Sequence, residues 1–250
     1  FGMNVRQHNA WWYQGGGADL YNDFLRSKYN CLAFIALNTG TQMGGWYRKE
    51  IKTVADLKGL KFRVGSLAGQ VLSRLGVVPQ QIAGGEIYQA LEKGIIDAAE
   101  WVGPYDDEKL GFNKVAKYYY TPGWWEGNAP SLYLVNSKAW DSLPKEYQNA
   151  FTAAAAESNV LATAKYDQLN PPALRRLIAS GVQLRTFSRE LMDACYKASM
   201  EQFAEWSDQN ADFKRLYEHY SKFMDEQISW FRVAESTYDN YMSYVKQKRK

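Results

Sequence analysis

From Cys31 to Trp101 the chain alternates short apolar runs with stretches of helical spacing, and that alternation restricts the fold more than any other feature. Residues 31–37 read as a buried strand, and residues 60–64, 80–83 and 95–101 as three more. Helix signals lie between them: residues 54–58 behind a Thr53 cap, residues 70–75, and residues 86–93 closed by Gly94. Strands separated by helical segments pack as a mostly parallel sheet with helices on it, so the middle of the chain is α/β.

The flanks complete this pattern. Residues 19–29 carry Leu20, Phe24 and Leu25 at helical spacing, and Gly15-Gly16-Gly17 before them suits a cap between two helices, since no strand-turn-helix context supports a phosphate loop. Residues 118–120 and 131–135 add strands around a loop containing Trp124, Trp125, Glu126 and Asn128. Beyond Ser137 helices dominate: residues 147–169, which Pro171-Pro172 is expected to break, then 173–180, a short strand at 181–187, and 189–209 behind a Ser188 cap. Residues 213–245 hold no Gly or Pro and predict one helix of about 50 Å, at ~1.5 Å per residue. Phe213, Tyr220 and Tyr241 share one heptad position and Leu216, Phe223, Trp230 and Tyr244 another, a stripe that either packs on its own domain or reaches a partner chain.

Composition excludes several classes. With 46% hydrophobic and 23% charged residues the 250-residue chain is neither disordered nor collagenous, and no apolar run approaches the ~20 residues of a membrane helix. Lys246, Lys248, Arg249 and Lys250 supply four positive charges, without which the formal charge of +3 becomes −1, so no basic body marks a nucleic-acid binder. Cys31 and Cys195 sit in apolar patterns without CxxC spacing, and neither His8 nor His219 stands near a second metal ligand.

Ligands of open α/β sheets bind outside the carboxyl ends of the strands. There the sequence delivers Asn38 and Gln42, then Arg63, then Glu100 and Trp101, and finally Trp124, Trp125, Glu126 and Asn128. Arg63 interrupts an apolar strand, where its planar fork either clamps a carboxylate or pairs with Glu86 or Glu100. Glu100, the Gln42 amide oxygen and a carbonyl near Trp101 form an all-oxygen set suited to Na⁺ or Ca²⁺, the alternative being a Glu100–Arg63 ion pair. Trp124, Trp125 and Tyr119 either wall an apolar pocket, stack on sugar rings or fill the core. As an enzyme the chain offers Glu100 and Glu126, an acid and base for a glycosidic bond, but no nucleophile context; binding fits these residues better than turnover.

Asn38-Thr-Gly-Thr-Gln-Met-Gly-Gly-Trp-Tyr-Arg-Lys-Glu-Ile51, Asp56-Leu-Lys-Gly-Leu-Lys-Phe-Arg63, Ile96-Asp-Ala-Ala-Glu-Trp-Val-Gly-Pro-Tyr-Asp-Asp107 and Ala116-Lys-Tyr-Tyr-Tyr-Thr-Pro-Gly-Trp124 together resemble the periplasmic substrate-binding subunit of tripartite ATP-independent periplasmic (TRAP) transporters. The likeness is to the branch that binds 2-oxo and 2-hydroxy monocarboxylates such as pyruvate or lactate. It implies a two-lobed, type II-like periplasmic-binding-protein fold with a long C-terminal helix, a non-enzymatic role, and delivery of ligand to an ion-gradient-driven membrane permease. By the same resemblance Arg63 holds the ligand carboxylate, while Gln42, Glu100, the Trp101 carbonyl and Glu126 surround a bridging Na⁺ or Ca²⁺. Trp124 and Asn128 are expected beside the ligand, although the loop from Trp124 to Ser131 departs from the family pattern. A homodimer through the C-terminal helix is a further expectation.

Phe1 does not open a signal peptide, and the resemblance implies that about a hundred residues of a first lobe precede it. The expected division is residues 1–40 in lobe 1, 41–128 in lobe 2, 129–168 returning to lobe 1, 169–212 completing lobe 2, and 213–250 in the terminal helix.

Overall fold

Two sheets organise the chain in a computed structural model that describes residues 1–248. In the first, β1 (Cys31–Asn38) pairs antiparallel with β7 (Pro130–Asn136). The second has six strands in the order β4 (Val78–Gln80), β3 (Lys61–Arg63), β5 (Ala98–Ala99), β2 (Gly45–Tyr47), β6 (Tyr118–Thr121) and β8 (Gln183–Thr186). Pairs β3–β4, β3–β5 and β6–β8 are parallel, as the alternation predicts. Strand β2 instead enters antiparallel to both β5 and β6. At three residues it is too short to register as a periodic run. Gly45 permits it: its φ is +97°, and a Cβ there would lie 2.7 Å from the Ala99 carbonyl oxygen.

Several boundaries move for identifiable reasons. The expected strand at 80–83 lies earlier, at Val78–Gln80, on the sheet edge where Pro79, lacking an N–H, is tolerated. Only Ala98–Ala99 of the expected strand 95–101 joins the ladder. Residues 54–57 form a 3-10 turn rather than an α-helix. An N-terminal helix, α1 (Val5–Tyr13), begins at an Asn4–Gln7 capping box that the pattern of apolar residues does not reveal. Gly16, in the left-handed region, then separates it from α2 (Gly17–Tyr29).

Pro171-Pro172 does not break the helix. After α3 (Ser66–Ser73), α4 (Ile87–Glu92), α5 (Pro104–Leu110) and α6 (Ser137–Ser142), α7 (Lys145–Ala179) runs through both prolines. Contacts on either side of the pair hold it in line: Asn170 Oδ1 accepts from the Tyr105 amide at 3.0 Å, Tyr166 donates to Asp106 at 2.8 Å, and Ala173 and Leu177 are fully buried. Arg176 makes a two-pronged contact with Glu108 at 2.8 and 2.6 Å. Near its middle α7 lies on the small sheet, where Thr163 Oγ1 donates to the Asn38 carbonyl at 3.0 Å. One helix therefore ties both sheets together.

After α8 (Arg189–Gln209) the terminal helix is divided. α9 (Ala211–Val233) and α10 (Glu235–Lys248) meet at Ala234, whose ψ of −87° leaves helical geometry while Thr237 Oγ1 donates to the Arg232 carbonyl. The first half of the apolar stripe packs on its own chain. Tyr220 OH accepts from the Met3 amide at 2.8 Å, Phe223 and Met224 cover the Trp11–Leu25–Ile35 cluster, and Phe213 and Tyr217 lie against Phe203. Trp230, Tyr238, Tyr241 and Tyr244 further along are more than half exposed.

His8 on α1 is buried against Trp11 and Trp12 with no partner for Nδ1 among the described residues, and burial pushes its pKa down to about 4. The unfolded chain takes up this proton near 6.5, the folded one only near 4, so protons favour unfolding across that window and stability falls as pH falls. Between pH 7 and 5 the group removes about 2 kcal/mol. Urea unfolding of His8→Gln should lack that part of the parent's pH dependence; identical profiles would refute it.

Candidate functional site

The carboxyl end of β3 presents Arg63, the end of β5 presents Glu100 and Trp101, and the loop after β6 presents Glu126. Opposite them, Gln42 lies in the polar segment between β1 and β2. Backbone bonds lock these pieces together: Gln42 N–H donates to the Glu126 carbonyl (3.1 Å), Gly123 N–H to the Gln42 carbonyl (2.9 Å), Met43 N–H to the Val102 carbonyl (3.1 Å) and Glu100 N–H to the Arg63 carbonyl (3.0 Å). The loops cannot shift independently.

Arg63 is held on three sides. Nη1 donates to the Glu100 carbonyl at 2.7 Å, Nε reaches the Ile82 carbonyl at 3.4 Å, and the guanidinium lies over the Trp101 ring at 5.1 Å. Its ion pair with Glu100 is long, 3.6 Å, so the anticipated internal pairing leaves Nη2 without a carboxylate of its own among the described residues. Gly84 makes room for the indole, since a Cβ there would meet the Trp101 ring at 2.6 Å.

Gln42 carries the most informative contact. One end of its amide lies 3.0 Å from the Trp101 carbonyl oxygen and 2.9 Å from Glu126 Oε2, and the other 3.1 Å from Thr39 Oγ1. With nitrogen inward, Gln42 donates to both oxygens. With oxygen inward, three oxygens converge, an arrangement that needs a cation or a carboxyl proton among them.

Glu100 and Glu126 lie within hydrogen-bonding contact, and both carboxyls are pushed well up, Glu100 by burial and then by the Glu126 charge, Glu126 by burial. Arg63 opposes the rise only in part. Two buried carboxylates at this spacing need a proton or a cation between them.

The remaining candidates lie differently. Trp124 is buried, stacked on Phe1 at 5.0 Å and edge-on to Trp125 at 5.0 Å; together with Glu126, Leu67 and Phe203 the two tryptophans line an apolar cavity of about 490 Å³. Asn128 does not face Gln42: its Oδ1 accepts from Asn38 and its Nδ2 donates to the Met3 carbonyl. Tyr119 is core, stacked on Trp46 at 4.0 Å. Sequence reasoning missed Thr39, whose hydroxyl orients Gln42, and the Ile82 carbonyl; a backbone acceptor leaves no trace in residue identity.

Residues 1–209 match the model of the bacterial extracellular solute-binding proteins, family 7 (DctP). The chain belongs to this family. A monocarboxylate 2-oxoacid-binding periplasmic protein of Nostoc sp. is 51% identical over 97% of this chain and 66% of its own length. A TRAP transporter solute-binding protein of Bordetella bronchiseptica, a dimer with calcium and picolinate at one active site and the other apo, superposes with a TM-score of 0.96 at 55% identity, covering 100% of this chain and 74% of that one. A third solute-binding protein, from Pseudoalteromonas atlantica, with sodium and pyruvate bound, gives a TM-score of 0.90 at 38% identity over 96% of this chain and 73% of that one. The chain thus spans about two thirds of the curated relative and three quarters of the crystallised ones. The α/β, two-lobed binding-protein fold with a long, here divided, C-terminal helix is that of this family.

Proposed function

We propose that this chain is the solute-binding part of a TRAP transporter and captures a small 2-oxo or 2-hydroxy monocarboxylate in the periplasm for an ion-gradient-driven permease. The observation that carries the reading is the inward end of Gln42, set against the Trp101 carbonyl and Glu126 beside an arginine whose Nη2 makes no hydrogen bond among the described residues. Gln42, Glu100, the Trp101 carbonyl and Glu126 are the donors for the ion, and an all-oxygen set with two carboxylates fits Ca²⁺ or Na⁺. A cation held by these oxygens would neutralise Glu100 and Glu126 and supply positive charge for the ligand's oxygens. Arg63 takes the ligand carboxylate, steered by the Glu100 and Ile82 carbonyls and the Trp101 face. The likeness to proteins with pyruvate or picolinate beside a metal supports this assignment, as does the 2-oxoacid binding of the Nostoc relative. The role is binding, not catalysis. The lobes divide as residues 1–40 with 129–168 and 41–128 with 169–212, so α7 crosses between them.

Calorimetric titration of the purified protein with pyruvate tests this. Binding is expected with Ca²⁺ or Na⁺ and lost after both are removed; affinity indifferent to cations would sink the proposal. The exposed stripe Trp230, Tyr238, Tyr241 and Tyr244 further suits a second copy of the chain, in line with the Bordetella dimer. Sedimentation equilibrium at micromolar concentration should then give a dimer, and a monomer would exclude it.

A further inference from the structure

Beneath the site lies a carboxylate that touches neither the proposed ion nor the ligand position. Asp107, on α5 (Pro104–Leu110), is fully buried yet accepts four hydrogen bonds. Its Oδ2 receives Trp46 Nε1 at 2.9 Å and Tyr119 OH at 2.7 Å; its Oδ1 receives the Val102 and Gly103 amides, both at 3.1 Å. The first pair anchors it to β2 and β6. The second grips the turn that begins at Trp101.

A peptide unit is rigid, so fixing the Val102 N–H fixes the Trp101 carbonyl in the same plane. That carbonyl oxygen is one of the two atoms the inward end of Gln42 faces. The Val102 carbonyl in turn receives the Met43 amide, which ties the neighbour of Gln42 to the same turn. Asp107 thereby links the aromatic floor of the sheet to two of the three segments that bring oxygens together, those of Trp101 and Gln42. A buried carboxylate is costly unless every lone pair is used, and here all four donors are supplied.

We propose that Asp107 is a positioning residue for the cation site: by holding the Val102 and Gly103 amides it aims the Trp101 carbonyl and keeps the oxygen cluster at binding distance. This rests on the cation-dependent reading of the site. Partners that orient a ligating group but do not touch the metal alter affinity by about 10- to 100-fold when removed.

Two replacements separate positioning from charge. Asp107→Ala removes the acceptor, and Ca²⁺-dependent pyruvate affinity should fall at least tenfold. Asp107→Asn keeps an oxygen for the Val102 and Gly103 amides, while its Nδ2 can donate to the Tyr119 hydroxyl. Affinity should therefore stay within about threefold of the parent, at some loss of thermal stability from the orphaned Trp46 N–H. Calorimetry with Ca²⁺ and pyruvate reads affinity, and a circular-dichroism melt reads folding.

A folded Asp107→Ala protein with parental affinity overturns the proposal. So does an Asp107→Asn protein that loses tenfold or more, since the buried charge rather than the turn would then govern binding. Asp107→Asn decides the question alone if Asp107→Ala does not fold. Absence of Ca²⁺-dependent binding in the parent overturns the site reading itself, whereas parental binding retained in Asp107→Ala overturns only the role of Asp107.

Discussion

Arg63→Ala should lower pyruvate affinity by about 2–5 kcal/mol, a factor of roughly thirty to several thousand, while leaving cation affinity unchanged or higher. The two halves of this expectation have different causes. Removing the guanidinium strips the ligand carboxylate of its only cationic side chain among the contacts described, in a setting 22% exposed where water replaces it poorly. It also removes a positive charge 3.6 Å from Glu100, so an incoming cation meets less repulsion. Arg63→Lys should recover only part of the loss, because an ammonium cannot at once reach the Glu100 carbonyl, lie flat on Trp101 and face the ligand with a second N–H. Calorimetric titrations with pyruvate at saturating Ca²⁺, and with Ca²⁺ alone, separate the two. Unchanged pyruvate affinity, or parallel loss of both affinities, would refute this role for Arg63.

The β-α alternation made the larger sheet legible because the strands Lys61–Arg63 and Ala98–Ala99 are separated by helices whose caps, such as Gly94, stand in the sequence. Strand β2 was not legible. Its three residues are held by neighbours on both sides and by the freedom of Gly45, neither of which shows as periodicity. Pro171-Pro172 misled for a related reason: local propensity predicts a break, but buried Ala173 and Leu177 and the Asn170 and Arg176 contacts carry the helix through. At the site, polar residues at strand ends drew attention to Arg63, Glu100, Gln42 and Glu126. The same rule carried Asn128 along, whose amide is spent on Asn38 and Met3. Asp107 escaped because an acidic residue in the first turn after Pro104 already has an ordinary explanation at a helix start.

The largest stability loss is expected from Trp46→Ala. Trp46 is fully buried at the centre of β2, between Ala99 of β5 and Tyr119 of β6, and its ring stacks on Tyr119 at 4.0 Å. Truncation removes the largest side chain of that layer, and a three-residue strand cannot collapse into the space without losing its ladders. Such changes cost about 3–5 kcal/mol. Trp46→Phe keeps most of the stacked surface but removes the indole N–H from Asp107, and should cost about 1–3 kcal/mol. Trp230→Ala, at a site 57% exposed, is the contrast, expected within about 0.5 kcal/mol in a monomer. Urea midpoints rank the three. A Trp46→Ala protein within 1 kcal/mol of the parent would mean that β2 is not the member holding β5 and β6, and with them Glu100 and the Glu126 loop, at a fixed distance.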